Sequence, residues 1–251
     1  MTGFVWIVPC FDEEKRLEAE RWRALAEGGR GLLFVNDGSR DGTARMLASM
    51  REKTPSLDVL DLSVNGGKAE AVRQGFLHVL SGRARFEARP HWLGFADADL
   101  ATPPGELVRL EQVAEGSTAD AVLASRVRLS GTAIDRHARR HYLGRVYATA
   151  ASLILKRPIY DTQCGAKLFR VQPLLSAVMS EPFRSRWSFD VELLRRMDVL
   201  QPGAPQARSE ILEVPLKEWK DVHGSKLSAG AMLKAGLDLL RIWLAYRSDG
   251  R

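Results

Sequence analysis

The sequence is poor in cysteine and has no long apolar run, and each absence narrows what the chain can be. Its two cysteines, Cys10 and Cys164, lie far apart in 251 residues and match no metal-ligand spacing. The longest nearly uncharged apolar stretch, 146–155, is far shorter than the ~18 residues that span a bilayer. No signal-peptide pattern opens the chain, because residues 4–8 have the pattern of a core strand. We expect a reduced, cytoplasmic protein that does not cross a membrane.

Two common nucleotide-binding signatures are also missing. The chain has no G-x-x-x-x-G-K-[ST] phosphate loop and no G-x-G-x-x-G after its first strand, which argues against a dehydrogenase. The segment 65–68, Asn-Gly-Gly-Lys, nevertheless places two glycines before a lysine that opens a helix. Exposed backbone N–H groups beside an ammonium would suit a phosphate.

Positive charge is concentrated in one segment. The net charge is +6, and the run 126–145 contains a single acid, Asp135, among six arginines: Arg126, Arg128, Arg136, Arg139, Arg140 and Arg145. Such a run attracts nucleic acid, anionic lipid headgroups or phosphorylated ligands, unless it is only a solvated basic face.

The first half of the chain alternates strand and helix patterns. Strands are predicted at 4–8, 32–35, 57–62, 92–96 and 120–124, and helices near 13–27, 42–53, 68–81 and 104–115. This alternation predicts an α/β fold, with a mostly parallel central sheet and helices on both faces. The second half is less regular, with a helix over 138–155, turns around 161–165, a helix from Ser188 and a strand near 210–214.

The C-terminal segment has the pattern of an amphipathic helix. Its apolar face includes Leu239 and Trp243, and a narrow polar stripe is formed by Lys234, Asp238 and Arg241. Such a helix either docks on the core or lies in a membrane surface. We therefore divide the chain into a domain over 1–226 and a helical tail over 227–251.

Four polar motifs follow the carboxyl ends of predicted strands, where ligands bind in open α/β sheets: 9–13, 36–41, 65–68 and 97–99. Asp97 and Asp99 point to the same side of an extended chain. Two such carboxylates suit a hard divalent cation that holds a nucleotide diphosphate, although Asp is also common in plain turns. Asp37 could accept hydrogen bonds from a base or ribose, and Gly38 allows close ligand approach.

These motifs together resemble family 2 glycosyltransferases of the GT-A (Rossmann-like) fold. The later segments are similar to the dolichyl-phosphate β-glucosyltransferase and polyprenyl-phosphate glycosyltransferase branch: Ala124-Ser125-Arg126, Asp161-Thr162-Gln163-Cys164-Gly165, Arg186-Trp187-Ser188-Phe189-Asp190 and Gly224-Ser225-Lys226-Leu227. The resemblance covers nearly the whole chain. Two positions depart from it, since Asp12 and Asn36 stand where relatives often have Asn and Asp.

The resemblance implies roles for particular residues. Nucleotide-sugar binding would fall to Pro9, Phe11, Glu13, Asp37, Lys68, Asp97, Arg126 and Lys226. Asp99, together with Asp97, would bind Mg²⁺ or Mn²⁺ that bridges the diphosphate. Asp161 and Asp190 are the catalytic candidates near the acceptor, and Arg136 and Arg140 are candidates for an acceptor phosphate.

The implied enzyme is an inverting, metal-dependent hexosyltransferase. Its donor would be a UDP-sugar, with glucose favoured over mannose, galactose or N-acetylglucosamine, and its acceptor a polyprenyl phosphate. It would contact the anionic inner face of the cytoplasmic membrane peripherally, without nucleic acid. Two alternatives stay open: transfer to a soluble hydroxyl, with Asp161 or Asp190 as the base, and a non-catalytic protein that binds nucleotide sugar or nucleic acid.

Three further side chains have simpler interpretations. We expect Trp187 to pack in the core rather than to stack on a sugar, and Cys164 to be a small buried filler. His223 precedes Gly224-Ser225-Lys226, where a surface position is favoured over contact with metal or diphosphate.

Overall fold

The computed structural model describes residues 3–86, 89–135, 138–201, 208–221 and 229–247, with the side chains of 138–143 and 229–233 outside the description. The strands are β1 (Phe4–Cys10), β2 (Gly31–Asp37), β3 (Leu57–Leu62), β4 (Trp92–Ala96), β5 (Ala121–Ser125), β6 (Ala133–Asp135), β7 (Ala166–Arg170), β8 (Ile211–Pro215) and β9 (Glu218–Lys220). The helices are α1 (Ala19–Glu27), α2 (Thr43–Lys53), α3 (Lys68–Leu80), α4 (Pro104–Glu115), α5 (Ala138–Leu155), α6 (Pro173–Ser180), α7 (Phe189–Val199) and α8 (Ala229–Tyr246).

A seven-stranded sheet in the order β3-β2-β1-β4-β7-β5-β8 forms the centre of the protein. Strands β3, β2, β1 and β4 are parallel, β7 is antiparallel to β4 and β5, and β8 is parallel to β5. Strands β6 and β9 form a separate parallel pair. The predicted mostly parallel α/β fold is confirmed, and the carboxyl ends of β1, β2 and β4 meet at one edge.

The central strands of the sheet are buried on both faces, as parallel strands require. On β1, Trp6 and Val8 belong to a core with α1, α2 and α4, while Val5 and Ile7 belong to a core with α3, α5, α6, α7 and α8. Both faces of this strand are apolar, which explains why its sequence is a continuous apolar run. Helices α4 and α6 each begin with proline, whose missing N–H costs nothing in a first turn.

The first helix begins later than its pattern predicts. It starts at Ala19 instead of near 13, after a separate turn in which the Arg16 and Leu17 N–H groups donate to the Glu13 carbonyl. The backbone N–H groups of residues 12–14 bind side chains of residues 39–43. Asp12 donates to Ser39, Glu13 to Thr43 and Glu14 to Asp41, at 2.8–3.2 Å. These bonds fix the loops after β1 and β2 to each other.

The C-terminal helix differs from the predicted pattern at Asp238. This residue is only 3% exposed, and it accepts a hydrogen bond from the Ser185 hydroxyl at 2.8 Å. The predicted polar stripe is therefore wrong at Asp238. The apolar residues of this helix also differ in their exposure to solvent. Leu239 is buried, whereas Leu240 and Trp243 are nearly half exposed. Among the described residues, no helix has the length and apolar character needed to cross a membrane.

Candidate functional site

Two adjoining cavities open at the carboxyl edge of the sheet. The smaller has a volume of about 190 Å³ and lies at the ends of β1 and β2. The larger, of about 480 Å³, extends towards α5, α7 and α8. They share three charged residues, Lys68, Asp97 and Asp99. The two cavities thus meet at the Asp-x-Asp segment.

The ten described candidate residues all line these cavities. Pro9, Phe11, Glu13 and Asp37 line the smaller cavity, and the larger is lined by Arg126, Asp161 and Asp190, with the three shared residues between them. The other candidates lie outside the described residues: Arg136, the side chain of Arg140, Lys226 and also His223.

Asp37 holds the loop before Lys68. Its two carboxylate oxygens accept the backbone N–H groups of Gly66 and Gly67, each at 2.7 Å, and its carbonyl accepts the Asn65 amide at 3.1 Å. Gly67 adopts a φ of +86°, which a residue without a Cβ tolerates readily. The expectation that these N–H groups are exposed to a phosphate is therefore wrong, because Asp37 already occupies them.

The Asp97–Asp99 segment follows β4 in the way that alternation predicts. Ala98, between the two acids, is buried, and its carbonyl accepts the Trp22 indole N–H at 3.1 Å. Asp97 and Asp99 both face the shared space, and Asp99 also accepts the Ala101 N–H at 3.1 Å. Burial and the neighbouring charge of Asp97 raise the pKa of Asp99 above its usual range.

One cation lies directly against this pair. Lys68 forms an ion pair with Asp97. Burial alone would lower the pKa of Lys68, but the charges of Asp97 and Asp190 outweigh it and raise that pKa. Glu13 completes the group, and burial raises its pKa despite an ion pair with Arg16. Its second oxygen, Oε2, has no hydrogen-bond partner in the described part of the chain. The junction is therefore rich in negative charge.

The residues at this junction fit a divalent cation that is shared with a ligand. The described residues contain no cluster of three or more His, Cys, Asp or Glu side chains suited to a metal. Mg²⁺ is commonly held by one or two carboxylates, with phosphates and water completing its shell. Asp97 and Asp99 match that requirement. Gly165 leaves room for Asp97, since a Cβ there would collide with the Asp97 carboxylate.

On the other side of the larger cavity, Asp161 is clamped by Arg126. The guanidinium donates from Nε to Oδ2 at 2.6 Å and from Nη2 to Oδ1 at 2.8 Å, and the Arg126 backbone N–H also donates to Oδ2. The Asp161 backbone N–H is in turn held by Glu213 at 2.6 Å. Arg126 also lies over the Trp219 ring, 5.2 Å from its centroid. This pairing fixes both side chains.

Asp190 forms a buried ion pair that the sequence analysis did not predict. The Lys167 ammonium lies 2.5 Å from Asp190 Oδ1 and 2.6 Å from the Cys164 carbonyl oxygen. The side chains of Lys167 and Asp190 are 1% and 6% exposed. Lys167 lies in the quoted motif, but its buried position depends on strand β7, which was not predicted. A lysine within the apolar stretch Ala166–Arg170 was the available signal.

Aromatic side chains form part of the wall of the larger cavity. Trp187 is 43% exposed and meets the Tyr147 ring edge-on, with 5.0 Å between centroids. The prediction that Trp187 packs in the core is wrong, because it lies on a turn before α7 that faces the cavity. Cys164, by contrast, is buried and free as expected, and burial raises the pKa of its thiol to about 11.

The profile of the glycosyl transferase family 2 matches residues 5–175, about two thirds of the chain. The chain belongs to this family. It is 33% identical to the dolichyl-phosphate β-glucosyltransferase of Drosophila melanogaster over 96% of its own length and 74% of that protein. It is 30% identical to a dolichyl-phosphate β-glucosyltransferase from Trichomonas vaginalis, over 97% of its own length and 71% of that protein. The undecaprenyl-phosphate mannosyltransferase of Micrococcus luteus is 25% identical, covering 97% and 95%.

Solved structures support the same fold. A mannosyltransferase from Pyrobaculum calidifontis, in complex with GDP-mannose and Mn²⁺, superposes with a TM-score of 0.54 at 18% identity. The TarS protein of S. aureus in complex with UDP-GlcNAc gives 0.55 at 16% identity. The chain spans 54% and 66% of those two chains. At these identities the likeness establishes the GT-A fold. With the family assignment, it makes the protein a glycosyltransferase.

Proposed function

We propose that this glycosyltransferase moves a sugar, with glucose as the leading candidate, from a UDP-sugar to a polyprenyl phosphate with inversion. One observation carries the proposal. Two cavities of different character meet at Lys68, Asp97 and Asp99, so a donor in one and an acceptor in the other would touch at that junction. The names of the similar proteins, two dolichyl-phosphate glucosyltransferases and an undecaprenyl-phosphate mannosyltransferase, support the choice of acceptor.

The smaller cavity is the proposed nucleotide site. Its wall combines Pro9 and Phe11, which is 40% exposed, with the carboxylates of Glu13 and Asp37. An exposed aromatic ring offers a stacking surface for a base. The Glu13 carboxylate lines this cavity and can accept a hydrogen bond from a ribose or base donor.

Asp97 and Asp99 would hold a divalent cation, Mg²⁺ or Mn²⁺, against the donor diphosphate. When bound, such an ion stabilises the negative charge that a leaving diphosphate gains. Lys68 acts in the same sense, because its ammonium already lies against Asp97 at the junction. These charges favour the transition state most when they are fixed before the reaction.

The larger cavity is the proposed acceptor site. Apolar side chains line it from three helices, with Val146 and Tyr147 on α5, Phe189 on α7 and Leu239 on α8. Such a wall suits a prenyl chain better than a neutral sugar. Leu240 and Trp243 on the outer side of α8 are exposed, and we propose that this side contacts the anionic inner face of the cytoplasmic membrane.

The chemistry favours an acceptor that arrives ionised. A phosphate monoester has a second pKa of about 6, so at neutral pH it can attack the anomeric carbon without a strong base. Both oxygens of Asp161 already accept hydrogen bonds from Arg126, and Asp190 is bound by Lys167. Asp161 would position Arg126, and the charge of Asp190, which helps to raise the pKa of Lys68, would keep that ammonium protonated beside the diphosphate. In-line attack on an α-linked donor then yields a β-linked product.

A transfer assay tests the proposal directly. The protein is incubated with radiolabelled UDP-glucose, Mn²⁺ and either a polyprenyl phosphate or a soluble sugar alcohol, and products are separated by organic extraction. We expect label in the organic phase, lost in Asp99→Asn. If label appears only on the soluble acceptor, the acceptor is a hydroxyl group and not a lipid phosphate. Donor binding without any transfer would favour a non-catalytic binding protein.

A panel of UDP- and GDP-sugars in the same assay identifies the donor. We expect UDP-glucose to give the highest turnover. Faster transfer from GDP-mannose or another sugar nucleotide would overturn the donor assignment while leaving the transferase activity intact. Sedimentation with phosphatidylglycerol vesicles tests the membrane contact, which we expect to weaken as salt rises.

A further inference from the structure

The cations that line the larger cavity differ in what they already bind. The described ones are Lys68, Arg126 and Arg186. Lys68 is paired with Asp97, and Arg126 is paired with Asp161. Among the described residues, Arg186 donates one hydrogen bond, to the Asn65 carbonyl at 3.2 Å. In the described part of the chain Arg186 forms no ion pair, so its charge is available to a ligand.

Arg186 lies at the boundary between the two cavities. Its side chain is exposed and passes over Gly67, where an added Cβ would lie 3.4 Å from the Arg186 Nε. Gly67 precedes Lys68, the lysine shared by both cavities. Arg186 lines the larger cavity and not the smaller one. It therefore faces the acceptor side of the junction.

A buried hydrogen-bond cluster fixes the turn that carries Arg186. The Ser185 hydroxyl donates to Asp238 of α8 at 2.8 Å and accepts the backbone N–H groups of Trp187 and Ser188 at 3.2 and 2.8 Å. Ser185 and Asp238 are 2% and 3% exposed. A turn held in this way lowers the entropy lost when its side chains bind a ligand.

From this geometry, and resting on the proposed function, we infer that Arg186 binds the phosphate group of the acceptor. A guanidinium offers a planar pair of N–H donors that matches two phosphate oxygens, which an ammonium does not. The Gly66 and Gly67 N–H groups cannot take this role, because Asp37 occupies both. The turn 185–188 would thus align the nucleophile with the donor held at Asp97 and Asp99.

The test compares Arg186→Gln and Arg186→Lys with Arg184→Gln. Arg184 is an exposed arginine two residues away that does not line either cavity. A hydrogen-bonded pair between charged groups contributes about 1.5–3 kcal/mol, so we expect Arg186→Gln to raise the acceptor KM about 10- to 100-fold. The acceptor KM of Arg186→Lys should lie between those of the wild type and Arg186→Gln, and the acceptor KM of Arg184→Gln should match that of the wild type. The Kd for UDP-glucose, measured by calorimetry, should not change.

Two results would overturn the inference. One is an unchanged acceptor KM in Arg186→Gln. The other is a loss of UDP-glucose affinity with the acceptor KM preserved, which would assign Arg186 to the donor diphosphate. Calorimetry with citronellyl phosphate, a short soluble prenyl phosphate, separates this from the proposed function. If the wild type binds citronellyl phosphate and Arg186→Gln does not, the phosphate site is supported even without turnover. Equal binding of citronellyl phosphate by both proteins refutes it.

Discussion

Removing the Lys167 ammonium should destabilise the protein strongly, because Asp190 depends on it. Lys167 is almost fully buried and binds Asp190 at 2.5 Å and the Cys164 carbonyl at 2.6 Å. Its ammonium also lies 5.0 Å from the centroid of the Phe95 ring. Lys167→Met preserves most of the apolar stem but leaves a buried carboxylate without its cation. Breaking a buried ion pair in this way costs about 3–5 kcal/mol.

That loss is large compared with a native stability of about 5–15 kcal/mol. For a chain of this size, each kcal/mol lowers the melting temperature by about 2–4 °C, so we expect a decrease of about 6–20 °C. Urea denaturation and calorimetry at pH 7.5 measure both quantities. Lys53→Met, at an exposed position near the end of α2, is the control and should change stability by less than about 0.5 kcal/mol.

A double variant separates folding from function. Lys167→Met with Asp190→Leu removes both charges and should recover most of the lost stability, because no buried charge remains unpaired. It should nevertheless stay inactive, since Asp190 lines the acceptor cavity. A Lys167→Met protein within about 1 kcal/mol of the wild type would refute the reasoning. So would a double variant less stable than the single one.

Three other predictions concern the site and the pH response. Gly165→Ala should push the Asp97 carboxylate aside and reduce transfer about tenfold or more, with little change in melting temperature. The control Gly105→Ala, whose added methyl group meets no atom within 4 Å, should leave Asp97 in place and transfer unchanged. Equal activities of the two variants would contradict the crowding argument. Asp37→Asn leaves one acceptor oxygen for the two backbone N–H groups of Gly66 and Gly67. Calorimetry should therefore show the affinity for the donor reduced about tenfold or more. Unchanged affinity would mean that the loop before Lys68 keeps its conformation without Asp37. Burial lowers the pKa of His78 below its ordinary value despite the nearby Asp58. The unfolded chain therefore binds the proton more readily, and wild-type stability should fall as pH drops below about 6.5. His78→Gln should flatten that fall in urea denaturation between pH 7.5 and 5, and parallel curves for the two proteins would rule the effect out.

The first half of the fold could be predicted from the sequence because its physical signals are local. Apolar runs such as Phe4–Cys10 are buried on both faces of the sheet, and polar residues follow their carboxyl ends. Strand β7 could not be predicted in this way. It is five residues long, contains Lys167 and depends on antiparallel partners that lie more than 40 residues away in the chain.

Contacts between distant residues also explain the errors at individual side chains. Asp238 has the spacing of a surface residue, but Ser185, 53 residues earlier, gives it a buried partner. The Gly66 and Gly67 N–H groups resemble a phosphate site in sequence, yet Asp37 reaches them from the end of β2. Residue type and spacing indicated the chemistry, whereas the pairing of charges required the three-dimensional structure.

The most direct test of the account is whether Asp97 and Asp99 hold a cation together with a nucleotide diphosphate. Mn²⁺ is titrated into the protein with and without UDP, and bound metal is followed by electron paramagnetic resonance in the wild type and in Asp99→Asn. The account predicts Mn²⁺ binding that strengthens with UDP and is lost in the variant. Equal Mn²⁺ binding by both proteins, or wild-type binding that ignores UDP, would contradict it.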